Sequence, residues 1–190
     1  MASKRVAVIG ASGYGGLQTL RLLQGHPGLE VSFLGGERSS GKRWSELTPF
    51  LPLPGDPVVQ APDPDAIAAA ADLAVLSLPN GLASRLVPPL LERGVKVVDL
   101  SADYRYGSLQ QWREVYASEA RDFPRSDDAL CAEAVYGLVE WEQERIAAAR
   151  LVAAPGCFPT ASLLALTPLL KQGLIETAGI VIDAKTGTSG

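Results

Sequence analysis

The sequence predicts an α/β protein: a doubly wound, mostly parallel sheet followed by the beginning of a second, α+β catalytic or substrate domain. Three observations predict it. Apolar runs of strand length alternate with helical stretches. The runs are near-continuously apolar rather than alternating, as in strands covered on both faces. A glycine-rich turn stands directly between the first run and the first helical stretch.

Strands are expected near 5–10, 30–34, 73–78, 95–100, 150–154 and 179–185. The first helix, over 15–24, carries Leu17, Leu20 and Leu23 on one stripe and stops at Gly25. Further helices are expected over 64–71, 81–93, 109–121, 140–149 and 162–171. Pro88 and Pro89 should start or kink the third, since an interior proline removes a donor and crowds the preceding turn. The segment from 41 to 65 is proline-rich and aperiodic and reads as a long loop, to which Val58 and Val59 add at most a short strand. The domain boundary is placed at 154: a cofactor domain over 1–154 and the start of a catalytic domain over 155–190.

The chain has 190 residues, 47% of them hydrophobic and 20% charged, with a net charge of −4 and a pI near 5.1. This acidic balance gives nucleic acid or a membrane surface no basic patch to bind. The longest apolar stretch, 161–170, is too short to span a bilayer. With Cys131, Cys157 and His26 as the whole cysteine and histidine complement, no structural zinc site of four cysteines, or of two cysteines and two histidines, can be built. A reducing cytosol and no metal are expected.

Gly10-Ala11-Ser12-Gly13-Tyr14-Gly15-Gly16 follows the first strand and opens the first helix. Glycines there permit a tight turn and close backbone approach, and the helix N-terminus offers free N–H groups to a pyrophosphate. The spacing is Gly-x-x-Gly-x-x-Gly rather than Gly-x-Gly-x-x-Gly, yet strand before and helix after support a Rossmann-like dinucleotide site. A sharp β–α turn with no ligand is the plainer reading of glycines alone. Past the second strand stand Glu37, Arg38, Ser39, Ser40 and Lys42. Glu37 suits the ribose hydroxyl of NAD, whereas Arg38 and Ser39 suit the 2′-phosphate of NADP(H), which is favoured.

Pro155-Gly156-Cys157-Phe158-Pro159-Thr160 is the second candidate site. Cys157 falls at a helix N-terminus, where a thiolate is favoured, and the tight turn around it suits a nucleophile. Cys131 reads as a small buried hydrophobe. His26 reads as a capping or exposed imidazole, about 15 Å from the phosphate end of a ten-residue helix at 1.5 Å per residue.

Together these segments resemble the N-acetyl-gamma-glutamyl-phosphate reductases, within the aspartate-semialdehyde dehydrogenase-like group. Besides the two motifs above, the resemblance rests on Leu76-Ser77-Leu78-Pro79-Asn80-Gly81, Val98-Asp99-Leu100-Ser101-Ala102-Asp103-Tyr104-Arg105, Tyr136-Gly137-Leu138 and Asp183-Ala184-Lys185-Thr186-Gly187-Thr188-Ser189-Gly190. Ala154 stands where the family usually has Asn, Asn80 where it often has His, and Val139 where Pro is typical. The resemblance implies NADPH-dependent reduction of an acyl phosphate through a Cys157 thioester, in arginine biosynthesis. It implies cofactor contacts from Gly10, Ser12, Gly13, Tyr14, Gly15, Gly16, Arg38, Ser39, Pro79, Asn80, Ser189 and Gly190, and substrate contacts from Arg105 and Tyr136. It also implies a cytoplasmic homo-oligomer, a dimer or tetramer at full length, acting on a small molecule. The family's catalytic histidine lies beyond residue 190, and the glycine-rich close is an odd place for a terminus, so the sequence is expected to be the N-terminal part of a longer protein. The alternatives are a lysine-pathway relative reducing an aminoadipyl phosphate and a non-catalytic NADP-binding module.

Overall fold

The computed structural model describes residues 3–116, 125 and 127–187. It divides into two compact units, 1–154 and 155–190.

The first unit is built on six parallel strands in the order β2-β1-β3-β4-β6-β5. They are β1 (Lys4–Ile9), β2 (Leu29–Gly35), β3 (Leu73–Leu76), β4 (Lys96–Asp99), β5 (Val135–Tyr136) and β6 (Leu151–Ala153). The near-continuous apolar runs have their expected cause. Along β1, Ala7 and Ile9 join one core cluster while Val6 and Val8 join another, so both faces of the sheet are covered. Helices α3 (Pro64–Ala70) and α4 (Ala83–Glu92) pack on the first face, and α1 (Tyr14–Leu23) covers the second with Leu20 and Leu23. Each fully buried aliphatic side chain contributes roughly 1.5–3 kcal/mol.

Three expectations about elements need correction. Helix α4 runs unbroken through Pro88 and Pro89. Its buried face of Ala83, Val87, Leu90 and Leu91 offsets the two lost backbone bonds. The 41–65 segment is not all loop: α2 (Trp44–Leu47) seats the buried Trp44 ring, whose Nε1 donates to the Leu51 carbonyl. Val58 and Gln60 make only isolated bridges. Residues 179–185 form no strand; Val181 is 89% exposed, and an apolar run becomes a strand only where a neighbour completes its ladder. Two short elements went unforeseen, β5 and α6 (Asp128–Glu133). Helix α5 covers Leu109–Val115, and most of the remaining expected stretch lies outside the described residues. Helix α7 covers Val139–Ala148. In the second unit, α8 spans Cys157–Lys171.

Candidate functional site

In open α/β sheets ligands bind beyond the carboxyl ends of the strands where strand order reverses. Here that reversal lies between β1 and β3, since β2 and β3 flank β1 on opposite sides. The loops after β1 and β3 meet there. Gly10 has φ +79°, and a Cβ on it would stand 2.0 Å from the Ser77 carbonyl oxygen. A Cβ on Gly16 would stand 2.3 Å from the Gly10 oxygen. Gly10 and Ala11 both donate to the Gly35 carbonyl, at 2.8 and 3.2 Å, which closes the turn. Helix α1 begins at Tyr14 with no side-chain cap and no acid in its first turn. The N–H groups of Tyr14, Gly15 and Gly16 have no protein acceptor among the described residues. These are the orphan donors that a helix start leaves, with Ser12 and Tyr14 exposed beside them.

Beyond β2, the turn is tied back by bonds from Gly36 to Gln60 and from Gly41 to Val59. Arg38 and Lys42 are exposed and make no ion pair among the described residues, whereas Ser39 is buried. Of the two expected phosphate ligands, Arg38 is therefore the one presented to solvent.

The loops after β3 and β4 are cross-linked. Asn80 Oδ1 accepts from Ala102 N at 2.9 Å, while Pro79 is exposed. The Asp103 carboxylate accepts from Gly81 N and Ser84 N, capping α4. Burial raises Asp103 above the usual carboxylate range, against the lowering effect of those two bonds. At the end of β4, Asp99 accepts from both the N–H and the hydroxyl of Ser101. Burial nevertheless raises it to about 6.

Arg105 does not present its whole guanidinium to a ligand. Nε donates to the Ala154 carbonyl at 2.8 Å and Nη2 to the Leu100 carbonyl at 3.0 Å. Tyr136 is half-buried at the end of β5; burial raises its phenol, and the nearby charge of Arg105 lowers it.

Behind these loops lies a buried cluster. Arg125 forks onto Asp127, donates to the Asp103 carbonyl at 2.6 Å, and lies 4.8 Å from the ring centroids of both Tyr104 and Trp112. Tyr104 donates its hydroxyl to Asp127. Burial pushes Asp127 up, but the bonds from Arg125 and Tyr104 prevail and hold it low. Burial drives Tyr104 far above its ordinary value and Cys131 to about 11.

In the second unit, Cys157 is the first residue of α8 and is exposed, with Gly156 as N-cap and Pro159 in the first turn. Thr160 returns both its N–H and its hydroxyl to the Gly156 carbonyl, at 3.0 and 2.9 Å. Cys131 is buried. His26 is exposed, and its Nδ1 accepts from Gly28 N at 3.1 Å. Ser189 and Gly190 lie outside the described residues.

The sequence model of the semialdehyde dehydrogenase NAD-binding domain matches residues 5–149. The chain belongs to the semialdehyde dehydrogenase family. The model of that family's dimerisation domain matches 157–190. Curated proteins named N-acetyl-gamma-glutamyl-phosphate reductase from Synechococcus sp. (strain CC9605) and Parasynechococcus marenigrum (strain WH8102) are each 73% identical over 98% of this chain and 52% of their own. The protein of that name from Prochlorococcus marinus (strain MIT 9313) is 70% identical over the same shares. The chain thus spans about half the length of the curated relatives it matches. Among solved structures, aspartate semialdehyde dehydrogenase II from Vibrio cholerae, complexed with ASA, shares the fold with a TM-score of 0.61. It has 23% identity and covers 89% of this chain and 47% of that one. Aspartate semialdehyde dehydrogenase with NADP from Candida albicans gives a TM-score of 0.58 at 22% identity, covering 90% and 48%.

Within this chain, the structure brings Gly10, Gly15 and Gly16 against Ser77 and Ala11 at the switch point, and ties Asn80 to Ala102. It also shows two groups that sequence reasoning passed over. Asp103 stands inside a quoted motif without a role, and Arg125 had no motif to mark it. Neither stands out in the sequence, since Asp103 lies between Asp99 and Arg105, and Arg125 among Arg121, Asp122, Asp127 and Asp128.

Proposed function

We propose that the whole protein reduces N-acetyl-gamma-glutamyl phosphate to N-acetylglutamate semialdehyde and phosphate, in arginine biosynthesis. The observation that carries the reading is the 73% identity, over nearly all of this chain, to proteins named for that substrate. Cys157 supports it as nucleophile, exposed at the N-terminus of a 15-residue helix. Its thiolate attacks the acyl carbonyl, phosphate leaves, and a thioester remains, which divides one difficult reduction into two steps. Bound NADPH supplies the hydride. Collapse of the resulting thiohemiacetal releases the aldehyde and regenerates the Cys157 thiolate.

The α1 N-terminus, whose N–H groups from Tyr14 to Gly16 have no acceptor among the described residues, suits the dinucleotide pyrophosphate together with the turn at Gly10. Ser12, Gly13, Pro79, Asn80, Ser189 and Gly190 are assigned to the same cofactor. Arg38, exposed and without an ion pair among the described residues, supports NADP over NAD, with Ser39 shaping the turn from its buried position. Arg105 keeps Nη1 for a substrate anion, with Tyr136 beside it. A homo-oligomer is supported by the match to a dimerisation domain. A reducing cytoplasm suits two unbridged cysteines, and among the described residues no helix is long and apolar enough to cross a membrane.

The test is NADPH oxidation by the full-length enzyme, offered N-acetyl-gamma-glutamyl phosphate or its longer aminoadipyl homologue. Preference for the glutamyl substrate is expected. Preference for the homologue would move the protein to the lysine-pathway reading, and no oxidation with either would leave only cofactor binding.

A further inference from the structure

The carbonyl ends of β4 and β6 are joined by one side chain. Arg105, six residues past β4, donates from Nε to Ala154 O and from Nη2 to Leu100 O. The Ala154 N–H donates to Asp99 O at 2.8 Å, so both backbone groups of Ala154 are held. From the other side, Gly137 N donates to Ala153 O at 2.8 Å, and a Cβ on Gly137 would press to 3.2 Å from that oxygen. The last residue of the first unit is thus fixed by β4 and by a guanidinium, and the residue before it by the turn that follows β5. Only Pro155 and Gly156 separate it from Cys157. Proline at 155 leaves that short connection little freedom to absorb a displacement.

We propose that Arg105 is a positioning residue for Cys157: its planar fork holds Ala154 and so sets where the Pro155-Gly156 turn leaves the sheet. The inference rests on Cys157 being the nucleophile. A rigid fork reaches two acceptors at once, which a lysine ammonium on a flexible stem does not reproduce. The clamp grips backbone atoms only. It is therefore indifferent to the side chain at 154, where alanine replaces the asparagine usual in the resembling reductases.

The experiment compares full-length wild type with Arg105→Lys and Gly137→Ala, without substrate and then with it. Gly137→Ala disturbs the same strand end without touching a charge, and either variant decides the matter if the other fails to fold. Hydrogen exchange at the Ala154 amide is expected to quicken by about tenfold or more once the opening of this strand end is no longer opposed by the clamp. The rate of Cys157 alkylation by iodoacetamide is expected to depart from wild type in both variants. With the acyl phosphate, kcat should fall about 10- to 100-fold, the scale of a nucleophile misplaced by about 1 Å, and in Gly137→Ala with little change in KM. Wild-type exchange and alkylation in both variants, with only KM raised in Arg105→Lys, would overturn the proposal and leave Arg105 as an anion ligand. If the wild type itself does not turn over the acyl phosphate, the functional reading fails, while exchange and alkylation still judge the clamp.

Discussion

The carboxylate of Asp103 accepts the Gly81 N–H at 2.5 Å and the Ser84 N–H at 3.0 Å, so the loop after β4 caps the helix that follows β3. The N-terminus of α4 is thereby occupied by a protein carboxylate, while that of α1 stays open. One helix end of the crevice carries a protein carboxylate, and the other carries none among the described residues. Replacing Asp103 with Ala should cost about 1–3 kcal/mol, the range for leaving buried donors unpaired. Asp103→Asn, which keeps one acceptor, should lose less. Urea denaturation of the two variants checks this, and equal midpoints for Asp103→Ala and wild type would show that the cap contributes nothing.

Gly10→Ala should be far more damaging than Gly13→Ala. The first puts a methyl group 2.0 Å from a backbone carbonyl at φ +79°, where no rotamer relieves the clash. The second meets its nearest atom at 3.4 Å with φ −78°. A loss of about 2–4 kcal/mol is expected for Gly10→Ala, from αL strain plus displaced backbone, against under about 1 kcal/mol for Gly13→Ala. Thermal unfolding of both proteins separates them; comparable losses would mean that the two loops do not meet as described.

Asp99 should make stability rise as pH falls toward about 4. Burial holds its folded value near 6, above the ordinary 3.8, against two bonds from Ser101 and with Asp103 and Arg105 as nearby charges. The folded state therefore binds the proton more tightly than the unfolded chain. The cost of burying the charge is full above about pH 6 and relieved between there and about pH 4. Asp99→Asn removes that titration. The stability of wild type relative to Asp99→Asn should improve by about 2 kcal/mol between about pH 7.5 and about pH 4.5, because each tenfold gain in proton affinity on folding is worth about 1.4 kcal/mol. A difference independent of pH would place Asp99 in contact with water.

Arg38→Ala should weaken NADP binding by about 1.5–3 kcal/mol, the range for a hydrogen bond to a charged group, and leave NAD nearly unchanged. Arg38 has no protein partner among the described residues to reorganise, so the loss reports the ligand alone. Calorimetric titration with both dinucleotides decides it, and equal losses would remove Arg38 from the 2′-phosphate.

What the sequence made legible depended on local chemistry. The turn after β1 could be read because the positive φ of Gly10 and the close contact of Gly16 with Gly10 and Ala11 are local demands, whereas the approach of Gly10 to Ser77 is made by a distant part of the chain. Cys157 could be placed at a helix N-terminus because Pro155, Gly156 and Pro159 mark that turn locally. The Arg125 cluster could not be read: Arg125, Tyr104 and Trp112 meet only after β4, α5 and α6 have packed. Arg105 announced its charge but not its acceptors, which are backbone carbonyls 5 and 49 residues away. The run over 179–185 showed strand propensity, yet a ladder needs a partner. Pro88 and Pro89 were weighed by local cost alone, whereas the buried face of α4 decided the outcome.

The central claim is that Cys157 carries the acyl group. Full-length enzyme incubated with N-acetyl-gamma-glutamyl phosphate in the absence of NADPH, then quenched in acid and digested, should yield the Cys157 peptide heavier by one N-acetylglutamyl group. The adduct should vanish when NADPH is added. Cys157→Ser should show neither adduct nor turnover while still binding NADP, and Cys131→Ser should show both, since Cys131 is buried and Cys157 exposed. An adduct on any other residue, or full turnover by Cys157→Ser, would contradict the account.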